Sequence, residues 1–210
     1  LHINPRKSCL LVFFLPPGKK VLIVYAHQEP KSFNGSLLKI AVEELTKQGC
    51  SVTVSDLYAM QFEPRATRND IVGETKQKKV QEADLLIFQF PLFWFSMPAI
   101  LKGWMDRVLV QGFAYDLSKC YDGGLLQDKL SLFSFTTGGT KEKYASRGDV
   151  RYLLWPMQLH SDFDSWKALW VALCFSTYSQ SNVKATTPTK KGGKQIQILY
   201  SGRCMNCLPL

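Results

Sequence analysis

The sequence predicts an α/β protein whose core is a doubly wound parallel sheet. Three observations carry that expectation. Short, continuous apolar runs rich in β-branched and aromatic residues recur along the chain, and stretches with helical spacing alternate with them. The length of 210 residues and an apolar fraction of 46% are enough for one domain with a substantial core. Residues 21–25 (Val-Leu-Ile-Val-Tyr) read as a central buried strand. Residues 36–48 follow as a helix, with Leu37, Leu38, Ala41, Val42 and Leu45 at helical spacing and Gly49 as its stop. Residues 51–56 alternate Val52 and Val54 with polar neighbours, the pattern of a strand nearer a sheet edge. A loop over 57–74 leads to a short helix over 75–83. Residues 84–90 form the next buried strand, closed by Pro91, and a helix over 99–110 is entered through Pro98. Residues 130–136 are a fourth apolar strand, and 152–158 a shorter segment interrupted by Pro156. Beyond residue 159 the alternation fades. Residues 164–175 are expected as a helix apolar on most sides, and 181–195, rich in Ser, Thr, Lys and Gly, as a disordered tail.

Composition and charge exclude several classes. The longest apolar runs fall well short of the roughly 20 residues that span a bilayer, so no membrane role is expected. The formal net charge is +9, but it sits at the two ends. Residues 1–20 carry Arg6, Lys7, Lys19 and Lys20 with no acid; residues 184–210 carry Lys184, Lys190, Lys191, Lys194 and Arg203 with no acid. The remaining body is neutral and has no basic stripe, so nucleic acid is not expected as a partner. Six scattered cysteines in a chain large enough to need no staples fit a reduced, cytoplasmic protein. Cys204 and Cys207 have C-x-x-C spacing but no second ligand pair, so no metal site is assigned to them.

In a doubly wound sheet, ligands bind beyond the carboxyl ends of the strands at the topological switch point. That rule selects three loops. The first, residues 26–36, opens the first helix, where backbone N–H groups and the helix dipole favour a phosphate. It lacks a dinucleotide fingerprint, and the residues alone also fit a strand-to-helix turn capped by Asn34 or Ser36. The second, residues 91–98, places Phe93, Trp94 and Phe95 at a strand end; such rings suit a planar conjugated ligand, or a hydrophobic or subunit contact. The third, Thr136-Thr137-Gly138-Gly139-Thr140, combines hydroxyl donors with a backbone that a ligand can approach closely. Each is weak alone; together at one sheet edge they are much stronger.

The residues that carry these loops are also family motifs. Lys19 to Ser36, Phe88 to Phe95 (Phe-Gln-Phe-Pro-Leu-Phe-Trp-Phe), Pro98 to Arg107 and Thr136 to Thr140 closely resemble the FAD-dependent quinone reductases of the DT-diaphorase family, nearest its branch that uses dihydronicotinamide riboside. The resemblance runs over about residues 19–158. It implies a flavodoxin-like fold and a cytosolic homodimer that passes a hydride from a reduced nicotinamide through FAD to a quinone by a ping-pong mechanism. By motif, His27, Phe33, Asn34, Gly35 and Ser36 would hold the FAD diphosphate and nearby groups. Leu92, Phe93, Trp94, Phe95, Thr136, Thr137, Gly138 and Gly139 would line the flavin. Tyr144 would donate to the flavin carbonyl as charge develops there, and Tyr115, Asp116 and Leu117 would meet the substrate.

The departures from the family are equally specific. About 30 family residues have no counterpart between 73 and 77, and the His or Asn that follows the family's tyrosine is absent from 145–150. Residues 1–18 and 159–210 read as unrelated flanks, so the fifth strand is expected to be missing or replaced and the family's structural zinc lost. The alternative function is a flavin-free truncated relative that acts as a dimerising or binding module.

Overall fold

The computed structural model describes residues 15–68, 77–119 and 124–138, together with two further strands at 167–175 and 198–202 in their backbone course. In chain order the elements are β1 (Lys20–Tyr25), α1 (Phe33–Lys47), β2 (Ser51–Asp56), α2 (Lys78–Glu82), β3 (Leu85–Pro91), α3 (Ala99–Val108), β4 (Leu130–Thr137), β5 (Lys167–Phe175) and β6 (Ile198–Gly202). They form one sheet in the order β2-β1-β3-β4-β5-β6. The first five are parallel and β6 runs antiparallel to β5. The order 2-1-3-4-5 is that of the flavodoxin-like doubly wound fold, with its switch point between β1 and β3.

Alternation along the strands builds a core on each face. Leu22 and Val24 of β1, Leu86, Phe88 and Phe90 of β3, and Phe133 and Phe135 of β4 meet Leu101, Trp104, Met105 and Val108 of α3. Phe88 stacks on Phe133 at 5.0 Å between ring centroids and Phe90 on Phe135 at 5.4 Å. On the other face Val21, Ile23, Leu85, Ile87 and Leu132 pack under Leu38, Ala41, Val42 and Leu45 of α1. A sheet covered on both sides explains why its strands read as unbroken apolar runs. β2 lies at the sheet edge as expected, but its alternation does not set its burial: Val52 is half-buried, Val54 exposed and Ser55 buried.

Two expectations are corrected. The helix expected over 164–175 is instead strand β5, paired parallel to β4 from Leu130↔Lys167 to Thr137↔Phe175. The continuously apolar residues 168–175 carry no period that separates a buried strand from a buried helix. The hydrogen-bonding edge of β4 decides between them: residues 167–175 pair with it and fill the fifth position of the sheet. Helix α1 begins three residues earlier than expected, and its cap is Ser32, not Asn34 or Ser36: Ser32 Oγ accepts from Gly35 N at 3.1 Å. Gly49, with φ 81°, ends this helix as expected.

Candidate functional site at the carboxyl edge of β1, β3 and β4

Register brings the three loops together. Tyr25 lies beside Gln89, Gln89 beside Ser134 and Pro91 beside Thr136. On the α1 face this edge turns from apolar to polar. The column Leu85-Ile87 of β3 ends in Gln89, and Leu132 of β4 is followed on the same face by Ser134 and Thr136. Asn34, in the first turn of α1, covers them. Its Nδ2 donates to Thr136 Oγ1 at 2.8 Å, and its Oδ1 accepts from Gln89 Nε2 at 2.7 Å. Gln89 Oε1 in turn accepts from Ser134 Oγ at 2.6 Å. Asn34 and Gln89 are each only 3% exposed, so this is a buried hydrogen-bond chain that ties α1 to β3 and β4. The Leu92 N–H donates to the Thr136 carbonyl at 2.8 Å, joining the second loop to the third.

The first loop is folded by its own polar groups. Glu29 N–H donates to His27 Nδ1 at 3.0 Å, and Lys31 N–H donates to the Glu29 carboxylate at 2.8 Å. With Nδ1 accepting this bond, a ring hydrogen of His27 sits on Nε2. Gly35 is fixed by contact: a Cβ there would fall 2.1 Å from the Pro30 carbonyl oxygen and 3.3 Å from Tyr25 Oη. Burial pushes the Tyr25 phenol above its ordinary value, so it stays protonated. Phe33 and Ser36 are exposed at the mouth of the same turn.

The second loop is a two-residue hairpin. Phe93 and Ser96 exchange backbone hydrogen bonds at 2.9 and 3.0 Å, with Trp94 (φ 48°) and Phe95 (φ 61°) both left-handed between them. That is a type I′ turn, whose usual occupants are Asn and Gly. Two bulky aromatics in it cost about 1–3 kcal/mol each, a strain that clusters at ligand clamps. Trp94 is 94% exposed and Phe93 and Phe95 are also exposed, so the strain aims rings into solvent and not into the core. Leu92 packs against the α3-side core.

The remaining predicted residues are placed less closely. Thr137 is buried and Gly138 exposed at the end of β4. Tyr115 packs against the α3-side core and Leu117 is exposed, in a turn where the Leu117 N–H donates to the Asp116 carboxylate at 2.7 Å. Gly139 and Tyr144 lie outside the described residues, as do Cys204 and Cys207. Gln89 and Ser134 were not singled out from sequence. Their signal was there: each is a polar residue near the end of an otherwise apolar strand run.

The groups on this edge fit a phosphate-bearing planar cofactor: a capped helix entrance, an imidazole N–H, a strained platform of rings and a hydroxyl-rich strand end. Fold and site together define a flavodoxin-like protein, and comparison bears this out. A model of the family with the flavodoxin-like fold matches residues 19–188, past the point where the quoted motifs end. The chain belongs to the DT-diaphorase family of quinone reductases within that fold. It is 50% identical to ribosyldihydronicotinamide dehydrogenase (quinone) of Rattus norvegicus, over 91% of this chain and 96% of the relative. That alignment, at 225 positions, is longer than the chain, so the relative has residues with no counterpart here. Among solved structures, a protein of Klebsiella pneumoniae provisionally assigned as a quinone reductase superposes with a TM-score of 0.69 at 34% identity, covering 76% of each chain. General stress protein 14 of Treponema denticola, solved in complex with FMN, gives 0.58 at 27% identity over 74% of this chain and 85% of its own.

Proposed function

We propose that this chain binds FAD at the β1/β3 switch point and transfers a hydride from a reduced nicotinamide donor to a quinone in ping-pong fashion. One observation carries the reading. The capped entrance of α1, the strained Phe93–Phe95 platform and the Thr136 end of β4 converge on one edge in a chain half-identical to a quinone-reducing dehydrogenase. When bound, the flavin supplies the ring that accepts the hydride and passes it on. The protein's part is position and electrostatics. The α1 entrance and His27 Nε2 hold the diphosphate with N–H donors, and Phe33, Gly35 and Ser36 shape that turn. Leu92, Phe93, Trp94 and Phe95 offer a flat apolar surface to the ring. Thr136, Thr137, Gly138 and Gly139 approach its polar edge, and Tyr144 supplies the O–H donor where negative charge develops. Tyr115, Asp116 and Leu117 meet the nicotinamide or quinone. The donor loses a hydride; the quinone gains it with a proton from water and leaves as the hydroquinone.

This reading includes a cytosolic homodimer with residues 19–158 as its flavin-binding body. No helix among the described residues is long and apolar enough to cross a membrane. The reading includes no structural zinc. The experiment is the visible spectrum of the purified chain after incubation with FAD or FMN. One FAD per chain, bleached by a dihydronicotinamide and recoloured by menadione, is the expected result. A chain that stays colourless is the flavin-free relative, and the enzyme reading falls.

A further inference from the structure

We infer that Gln89 and Ser134 are positioning residues of the cofactor site: through Asn34 they set the direction of a buried hydrogen-bond chain that leaves Thr136 as an outward hydrogen donor. The inference rests on the flavin reading above. The bonds run one way. Ser134 Oγ donates to Gln89 Oε1 at 2.6 Å, Gln89 Nε2 to Asn34 Oδ1 at 2.7 Å, and Asn34 Nδ2 to Thr136 Oγ1 at 2.8 Å. An amide presents an acceptor at one end and a donor at the other, so once Ser134 donates into Gln89 each later bond is fixed. The last member, Thr136 Oγ1, receives a hydrogen and so keeps its own to give away. Thr136 is nearly buried, and no acceptor for that hydrogen appears among the described residues. A buried hydroxyl with a spare hydrogen at the carboxyl end of β4 is matched by an acceptor on a ligand, such as a carbonyl oxygen, a ring nitrogen or a ribityl oxygen.

The same chain explains two polar side chains in strands that are otherwise apolar. Neither Gln89 nor Ser134 lies in a loop. Both sit within the parallel ladder two residue pairs below Pro91 and Thr136, on the face that α1 covers. From there they act through Asn34, which joins the α1 entrance to the β4 end and so couples the diphosphate side of the site to its ring side.

The test uses the full chain with FAD as probe. Gln89→Glu keeps the shape and, when ionised, can only accept. Asn34 must then turn its Nδ2 toward residue 89 and its Oδ1 toward Thr136, which loses its spare hydrogen inward. Every bond is still made, but the two bonds from residue 89 to Asn34 and from Asn34 to Thr136 run the other way. Gln89→Met removes both amide groups, and Ser134→Ala removes the group that sets the direction from behind, away from any ligand. The dissociation constant for FAD, read by flavin fluorescence, and the melting temperatures with and without FAD are measured for each. The expected result is an FAD dissociation constant raised at least tenfold in Gln89→Glu and Gln89→Met and at least threefold in Ser134→Ala. The gap between holo and apo melting temperatures should narrow in step. A merely structural role would lower both melting temperatures together and leave FAD binding unchanged. If the variants that fold bind FAD within twofold of the parent, the positioning role is overturned while the flavin reading stands. If the parent itself binds no FAD, the flavin reading is overturned and this inference with it. Ser134→Ala, the mildest truncation, keeps the test decisive if the Gln89 variants do not fold.

Discussion

At the scale of single residues, the first loop is held by contacts that leave little tolerance. At Gly35, Ala would set its Cβ 2.1 Å from the Pro30 carbonyl, backbone against backbone, and the loop must open to admit it. Gly35→Ala is expected to cost about 1–3 kcal/mol in urea denaturation and to weaken FAD binding more than tenfold, because the entrance of α1 moves with the loop. Ser32→Ala tests the cap separately, with an expected loss of about 1 kcal/mol. Charge acts elsewhere. Lys19 Nζ contacts Asp84 Oδ1 at 2.8 Å and the Lys20 N–H donates to Oδ2 at 2.8 Å, which holds the Asp84 carboxyl below its ordinary value. A depressed carboxylate stabilises the fold above its unfolded pKa, and that stability is lost as pH falls through the folded value. Both partners are more than a third exposed, so the contribution is under about 1 kcal/mol. Asp84→Asn should lower the melting temperature slightly at pH 7 and make its decline below pH 4 shallower.

At the scale of elements, the Phe93–Ser96 hairpin sets stability against binding. Trp94 and Phe95 occupy left-handed positions that Asn and Gly fill without strain, and their rings bury little in the protein itself. The double change Trp94→Asn, Phe95→Gly should therefore raise the stability of the flavin-free protein by about 2–6 kcal/mol while reducing FAD affinity. Thermal melts with and without FAD separate the two effects; a destabilised apo protein would show that the rings serve packing. Helix α3 shows a different use of a small residue. At Gly103 a Cβ would lie 2.1 Å from the Pro64 carbonyl oxygen, so the missing side chain lets the chain after β2 pass close against α3. Lys129 closes the far side of the sheet by donating from Nζ to the carbonyls of Gln81 and Ala83 at the end of α2, at 2.8 and 3.0 Å.

At the scale of the whole molecule, β5 shields the edge of β4, and β6 in turn pairs with β5. A chain ending at residue 166 would expose a long parallel edge with apolar flanks, and it is expected to elute as aggregate in size-exclusion chromatography where the full chain does not. Recovery of a soluble, folded truncated chain would mean that the four-strand sheet β2-β1-β3-β4 is sufficient by itself.

Much of this protein is legible in its sequence. Runs such as Val21–Tyr25 and Leu85–Phe90 read as strands covered on both faces from their shortness and their flanking turn signals, and alternation with helical stretches makes their sheet parallel and doubly wound. Strand order then puts residues 26–36, 91–98 and 136–138 on one edge, so the neighbourhood of the site follows from local pattern and general topology. Three things needed the tertiary structure. The segment 167–175 has no distinguishing period, and only the vacant edge of β4 makes it a strand. The left-handed turn at Trp94 and Phe95 contradicts their intrinsic preference and is imposed by the ladder between Phe93 and Ser96. The chain Ser134-Gln89-Asn34-Thr136 joins residues up to 102 positions apart. Its members meet through the register of β3 on β4 and the seat of α1 above them, and hydrogen bonding between distant residues leaves no periodic trace in a sequence.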